Sequence, residues 1–288
     1  MKMLTKLMLF LVIINNQFAN LSYAETVELK FGIYASERRA WLDSDNTPIL
    51  KHLKEQLKSE FNVDVKIKTV FFPDYNDAVK AIVKKEVDFA RLGAASYLDA
   101  KKQSPKLSII GLESNKGSTY HEGVIGVLKE SPIVNVKDLK GKKMAFGNKS
   151  STIGRYLSQK YLTDNGITEA ELKQYQYLGR HDNVAIAIIR KTHDAGAFKS
   201  SILKDKNLKE RIRVIARFKA PTQAWVARAG IDMGVLTKLR QVLISVPKES
   251  ITIKSRDAFV KGDDSNFKYL RESIQNNDLF FTKKLVQM

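Results

Sequence analysis

The 288-residue chain contains no cysteine. That excludes disulfides, thiolate metal sites and a lipid-modified cysteine behind a leader. Histidine is also scarce. The four histidines show no metal-ligand spacing such as His-Glu-x-x-His. No apolar run reaches the roughly 18 residues needed to cross a bilayer. There is no Gly-x-Ser-x-Gly nucleophile elbow around Ser151, no internal repeat and no low-complexity segment. Acidic residues are outnumbered, 31 against 49 Lys and Arg, for a formal net charge of +18. The lysines are scattered, often along helix faces (Lys51, Lys54, Lys58), without an aromatic-studded basic strand. Such a pattern reads as a solvated surface that steers anions modestly, not as a nucleic-acid interface.

The first residues read as an export signal. Lys2 and Lys6 precede the apolar run 7–14, and Ser22 and Ala24 have the spacing of a signal-peptidase site. Cleavage after Ala24 would leave 264 residues with a net charge of +16, exported and not inserted in a membrane. An exported chain without disulfides depends on its apolar core. This length suits two middling domains or one large one. The periplasm of a double-membraned bacterium fits best.

Strand-like and helix-like segments alternate, which predicts an α/β architecture with parallel strands. Strands are expected at 27–34, 63–72, 89–92, 107–112, 124–128, 144–146, 175–178, 195–198, 213–218 and 225–228. Thr47 and Pro48 read as the start of the first helix, and a later helix is expected from Asn183 to Lys191. Strand-like crossings near 117–128 and 217–228 divide the chain. Residues 25–120 form one lobe, 121–220 a second, and 221–288 return to the first and add C-terminal helices. A cleft between the lobes, at the carboxyl ends of the strands, is the natural ligand site, and hinge closure the natural motion.

The stretch 146–154, Phe-Gly-Asn-Lys-Ser-Ser-Thr-Ile-Gly, is the most informative. It turns a strand into a helix through small hydroxyl residues. Unpartnered N–H groups and the positive end of the helix dipole make such a start a socket for a tetrahedral anion. Simple N-capping by Ser151 or Thr152 is the alternative. Gly93 to Ser96 forms a similar turn in the first lobe. His181 follows a strand and could donate from either ring nitrogen, or cap the next helix. Tyr75 and Tyr97 could face the cleft or fill the core. His52 reads as exposed, and His193 and Asp194 as structural.

The order and spacing of several short motifs resemble the phosphate/phosphite/phosphonate-binding proteins of ABC importers. These motifs are Phe31-Gly32-Ile33-Tyr34, Phe72-Pro73-Asp74-Tyr75, Val87 to Gly93 with Ala94-Ala95-Ser96-Tyr97, Ser151-Thr152-Ile153-Gly154, Gly179-Arg180-His181-Asp182, Asp194 to Ala197 and Trp225 to Arg228. The resemblance implies a two-lobed periplasmic-binding fold of the second type that holds a small oxyanion without catalysis. It also implies no cofactor, a membrane permease as partner, and a monomer. By position it assigns ligand contact to Tyr75, Ser151, Thr152 and His181, with Tyr120 or His121 as a further cleft aromatic. Ile153 stands where the family has a third hydroxyl, leaving its backbone N–H. The positions matching the carboxylates of aminophosphonate binders are Ser201 and Gln223 or Ala224, none acidic. Phosphate, phosphite or a small alkylphosphonate is therefore expected in preference to a ligand bearing an ammonium. Two alternatives remain: a ligand sensor on the same fold, and a hydrolase using Ser151, His181 and Asp182 or Asp194.

Overall fold

The computed structural model describes residues 26–251 and 256–281. The signal segment 1–24 and its cleavage site lie outside the described residues. Among the described residues, eleven strands form two sheets: β1 (Thr26–Tyr34), β2 (Asp64–Phe72), β3 (Phe89–Leu92), β4 (Ser108–Ser114), β5 (Tyr120–Leu128), β6 (Lys143–Phe146), β7 (Gln174–Tyr177), β8 (Ala195–Lys199), β9 (Ile212–Pro221), β10 (Ala224–Ala227) and β11 (Ala258–Val260). The first sheet has the order β11-β4-β10-β3-β1-β2, and the second β7-β6-β8-β5-β9. β1 runs parallel to β2 and β3, and β6 parallel to β7 and β8. Interior strands read as unbroken burial: all four residues of β3 and all five of β8 are enclosed, as expected where helices cover both faces.

The helices are α1 (Arg39–Phe61), α2 (Tyr75–Val83), α3 (Ala94–Gln103), α4 (Ser158–Asp164), α5 (His181–Ile189), α6 (Lys206–Arg211), α7 (Met233–Ile244) and α8 (Lys268–Gln275). Two differ from the sequence reading. Helix α1 begins at Arg39, so Pro48 lies inside it and not at its first turn. The reason is the apolar stripe: Leu42, Asn46, Ile49, Leu50, Leu53 and Leu57 share the buried face, and the stripe starts before the proline. Proline takes one backbone donor out of the helix. Around it, Asn46 Nδ2 donates to the Leu42 carbonyl (2.6 Å) and Arg256 Nη2 to the Asp45 carbonyl (2.8 Å). Helix α5 begins at His181, two residues earlier than expected, so His181 belongs to its first turn.

The chain passes between sheets twice, from β4 to β5 and from β9 to β10, and these passages are tied together. Thr222 N donates to the Thr119 carbonyl (2.8 Å), Thr222 Oγ1 to the Glu113 carbonyl (2.6 Å), and Glu113 N to the Gln223 carbonyl (3.0 Å). β5 and β9 then pair along their whole length. The C-terminal segment does more than return to the first lobe. The turn Asn277–Phe281 packs on the second, with Phe280 edge-on to Phe146 (5.7 Å between centroids) and against Tyr175 (5.9 Å). Asn277 Nδ2 donates to Gln159 Oε1 (3.0 Å). An aromatic slot in the second core accounts for this, since a buried phenyl ring gains more there than in solvent.

Candidate functional site

The sheets bring their strand ends together around one small cavity. The first lobe contributes Tyr34, Ser36 and Glu37 from the end of β1, Tyr75 from the start of α2, and Gly93 and Ala94 from the end of β3. The second contributes His121, Ser151, Thr152, Ile153, His181 and Lys199, while Pro221 and Gln223 come from the passage between lobes.

Two helix starts face each other across this space. Beyond β6 the chain turns through Asn148–Ser150 and enters a wide π-helical turn, Thr152–Leu157, continuous with α4. Such turns are rare and gather at functional sites. Ser151 is its N-cap, its Oγ accepting from Gly154 N (2.9 Å). Opposite, Gly93 caps α3, and Ala95 N donates to Thr152 Oγ1 (2.9 Å). The hydroxyl hydrogens of Ser151 and Thr152 remain as donors after these contacts. Further bonds latch the lobes shut: Asn148 Nδ2 to Asp74 Oδ2 (2.8 Å), Ser150 Oγ to Asn76 Oδ1 (2.7 Å) and His181 N to the Ser36 carbonyl (3.1 Å).

Of the residues singled out from sequence, Tyr75, His121, Ser151, Thr152, Ile153 and His181 line this cavity. Tyr75 is buried, stacked on Tyr34 (3.8 Å between centroids), with its hydroxyl against Ser151. Burial, followed by the neighbouring Tyr34, pushes its phenol well up, so it stays protonated and donates. Ser96 is buried beside the Tyr34 hydroxyl, outside the lining. Tyr97 points away, packed on Phe267 (4.8 Å) with its hydroxyl bonded to Asp264. Tyr120 is exposed and outside the lining, whereas its neighbour His121 lines the cavity. The Gly154 N–H is spent on the Ser151 cap and does not point into the cavity as a free donor. Among those expected to be structural, Asp194 accepts from Lys143 N (2.8 Å) and closes the turn before β8.

Glycine is required at position 154 for space. A Cβ there would stand 2.7 Å from the Gly147 Cα and 3.0 Å from the Gly147 nitrogen, both backbone atoms that cannot swing aside. Gly154→Ala should therefore cost about 1–3 kcal/mol and push the socket apart. Chemical denaturation would read the loss. A variant as stable as the parent would show that the turn has slack.

The electrostatics of the cavity are unusual. Burial pushes the His181 imidazole down to about 4, with Lys199 adding to the effect and Glu37 opposing it. His181 Nδ1 is enclosed and has no protein partner. Burial, then Lys199, likewise drives His121 well down. Both rings are thus neutral at pH 7. Lys199 is 6% exposed, and burial lowers its ammonium against the pull of Glu37. Behind the cavity lies a knot of ions. Glu113 accepts from Arg91 Nε (2.6 Å) and Nη2 (3.0 Å), from Arg256 Nη1 and from Trp225 Nε1 (3.2 Å). Burial alone would raise the Glu113 carboxyl, but Arg256 and Arg91 outweigh it and hold it far below the ordinary range.

Sequence reading passed over Tyr34, Ser36, Glu37 and Lys199. The signal was available: Tyr34 and Lys199 end β1 and β8, and strand carboxyl ends are where α/β sheets place ligands.

A family model described as "ABC transporter, phosphonate, periplasmic substrate-binding protein" matches residues 31–267. The phosphonates-binding periplasmic protein of Escherichia coli K12 is 30% identical over 180 residues, 60% of this chain but only about half (51%) of that protein's length. The probable ABC transporter phosphite-binding protein PhnD1 of Prochlorococcus marinus MIT 9301 is 23% identical over 280 residues, covering 88% of this chain and 91% of its own. The structure of PhnD1 in complex with methylphosphonate superposes with a TM-score of 0.75 at 20% identity, covering 88% of this chain and 98% of that one. The binding-protein component of an ABC phosphonate transporter from Pseudomonas aeruginosa gives 0.78 at 20% identity, with 91% of each chain covered. With more than half of its length matched by the family model, the chain belongs to the periplasmic substrate-binding proteins of phosphonate ABC transporters.

Proposed function

We propose that the protein captures a small tetrahedral oxyanion (phosphate, phosphite or a small alkylphosphonate) between its lobes and hands it to a membrane permease without chemical change. One observation carries this reading: two helix starts converge on a small closed cavity that also holds buried hydroxyls and an unpartnered imidazole nitrogen. Helix starts, hydroxyl donors and a buried lysine together match an acceptor-rich anion. The ligands named for the relatives, phosphite and methylphosphonate, are of this class. Tyr75, Ser151, Thr152 and His181 are the contacts this reading assigns, with Lys199 added. It extends to removal of residues 1–24 on export, to lobes at 25–120 and 121–220, and to a monomer.

The arrangement disfavours nucleophilic hydrolysis. A serine–histidine–carboxylate relay engages both ring nitrogens of the histidine. His181 Nδ1 has no partner, and Asp182 is taken by Arg180 (3.0 Å) and Arg38 (3.5 Å).

Thermal unfolding with phosphate, phosphite, methylphosphonate, 2-aminoethylphosphonate and sulfate tests the proposal. A true ligand at about 100 times its Kd should add about 2.7 kcal/mol of stability. We expect phosphate, phosphite or methylphosphonate to give the largest shift. No shift with any of the five would overturn the oxyanion reading.

A further inference from the structure

Among the described residues that line the cavity, Glu37 is the acidic side chain and Lys199 the basic one, and both histidines beside them are held neutral. The acid and the base come from opposite lobes: Glu37 follows β1 and Lys199 ends β8. Their side chains are 13% and 8% exposed, and Nζ stands 3.9 Å from Oε1. That distance is an ion pair and not a hydrogen bond, so the ammonium keeps protons for another acceptor. Glu37 is a carboxylate within the ligand space, although the positions the family resemblance points to, Ser201 and Gln223 or Ala224, are not acidic.

Resting on the oxyanion reading, we propose that Lys199 determines specificity. Its ammonium occupies Glu37 where a ligand's own ammonium would bind, so the cavity accepts oxyanions with neutral substituents and rejects aminoalkylphosphonates. Two effects act in the same direction. With Lys199 in place, a ligand ammonium would have to lie beside a buried cation, and like charges at a few ångströms in a water-poor site repel strongly. Without Lys199, Glu37 would be a buried carboxylate lacking its cation, a costly state that a ligand ammonium relieves. Among the described residues, the groove on the outer side of Lys199 offers such a ligand no unpaired acid. It is lined by Lys116, Lys204, Arg217 and Lys219, and its carboxylate, Glu122, is paired with Arg217.

Titration calorimetry with methylphosphonate and 2-aminoethylphosphonate on four proteins tests this: the parent, Lys199→Met, Glu37→Gln and the double variant. The parent should prefer methylphosphonate by about tenfold or more. Lys199→Met should weaken methylphosphonate and tighten 2-aminoethylphosphonate, each by about tenfold, reversing the preference. Adding Glu37→Gln should abolish the gain for the amine. Lys199→Arg, which keeps the charge, should retain the parent's preference and serves if Lys199→Met fails to fold. A parent that binds methylphosphonate, with a preference unchanged in Lys199→Met or reversed in Lys199→Arg, overturns the role of Lys199. An amine gain that survives Glu37→Gln overturns the role of Glu37. A parent that binds no oxyanion overturns the underlying reading instead.

Discussion

Replacing Glu113 by glutamine is expected to lower the unfolding free energy by about 3–5 kcal/mol, the usual result of removing one partner from a buried ionic cluster. Arg91 and Arg256 are 6% and 1% exposed, and both direct guanidinium protons at the Glu113 carboxylate. Glutamine keeps the shape but removes the charge, leaving two cations in the interior with no anion between them. The loss should reach the hinge as well, because the Glu113 backbone is bonded to Thr222 and Gln223. Oxyanion affinity should therefore fall together with stability. Urea denaturation measures the first and calorimetry the second. The exposed Glu122–Arg217 pair provides the contrast: Glu122→Gln should cost less than about 1 kcal/mol. If Glu113→Gln were equally mild, the cluster would be closer to neutral in its contribution than its burial implies.

Much of this architecture is legible in the chain because period and punctuation agree. β3 reads as four apolar-flanked residues stopped by Gly93, and it forms over those same four. Pro73 and Asp74 read as the start of a helix; the helix begins at Tyr75, and the Asp74 carboxylate caps it, accepting from Asn76 N (2.8 Å). Where local signals conflict with packing, packing prevails. Pro48 looks like a beginning, but the stripe that starts at Leu42 carries α1 through it. The strand–turn–helix passage at 146–154 was visible for the same reason as β3: small hydroxyl residues between an apolar run and a helical pattern mark a capped helix start. Glu37 was not, and Lys199 only through its place at a strand's carboxyl end. Each looks like one more surface charge among the 80 charged residues, 49 basic and 31 acidic. Only closure of two lobes, distant in sequence, buries them against each other. Tyr97 failed in the opposite way. It follows the helix start closely, but its side chain is directed by helical geometry onto Phe267, behind the site.

Acidification should destabilise the closed protein through His181. In the unfolded chain this imidazole titrates near 6.5, and in the folded cavity near 4. Between those values the unfolded state holds the proton and the folded state does not, so stability falls as pH drops from about 6.5 toward 4. A displacement of this size corresponds to about 3 kcal/mol. His121, also pushed well down, acts in the same sense. Asp45 opposes them: burial raises its carboxyl to about 6, so it gains stability as pH falls through that value, and its partial exposure makes the gain smaller. The difference between wild type and His181→Gln isolates the histidine. Glutamine does not titrate, so the variant should gain about 3 kcal/mol relative to wild type between pH 7 and pH 4. Saturating methylphosphonate should shrink that gain, because an anion beside the ring favours the imidazolium and returns its pKa toward the unfolded value. Parallel pH profiles for the two proteins would mean that His181 titrates in the folded state as it does in the unfolded chain, and therefore that the cavity is wetter or more acidic than its walls imply.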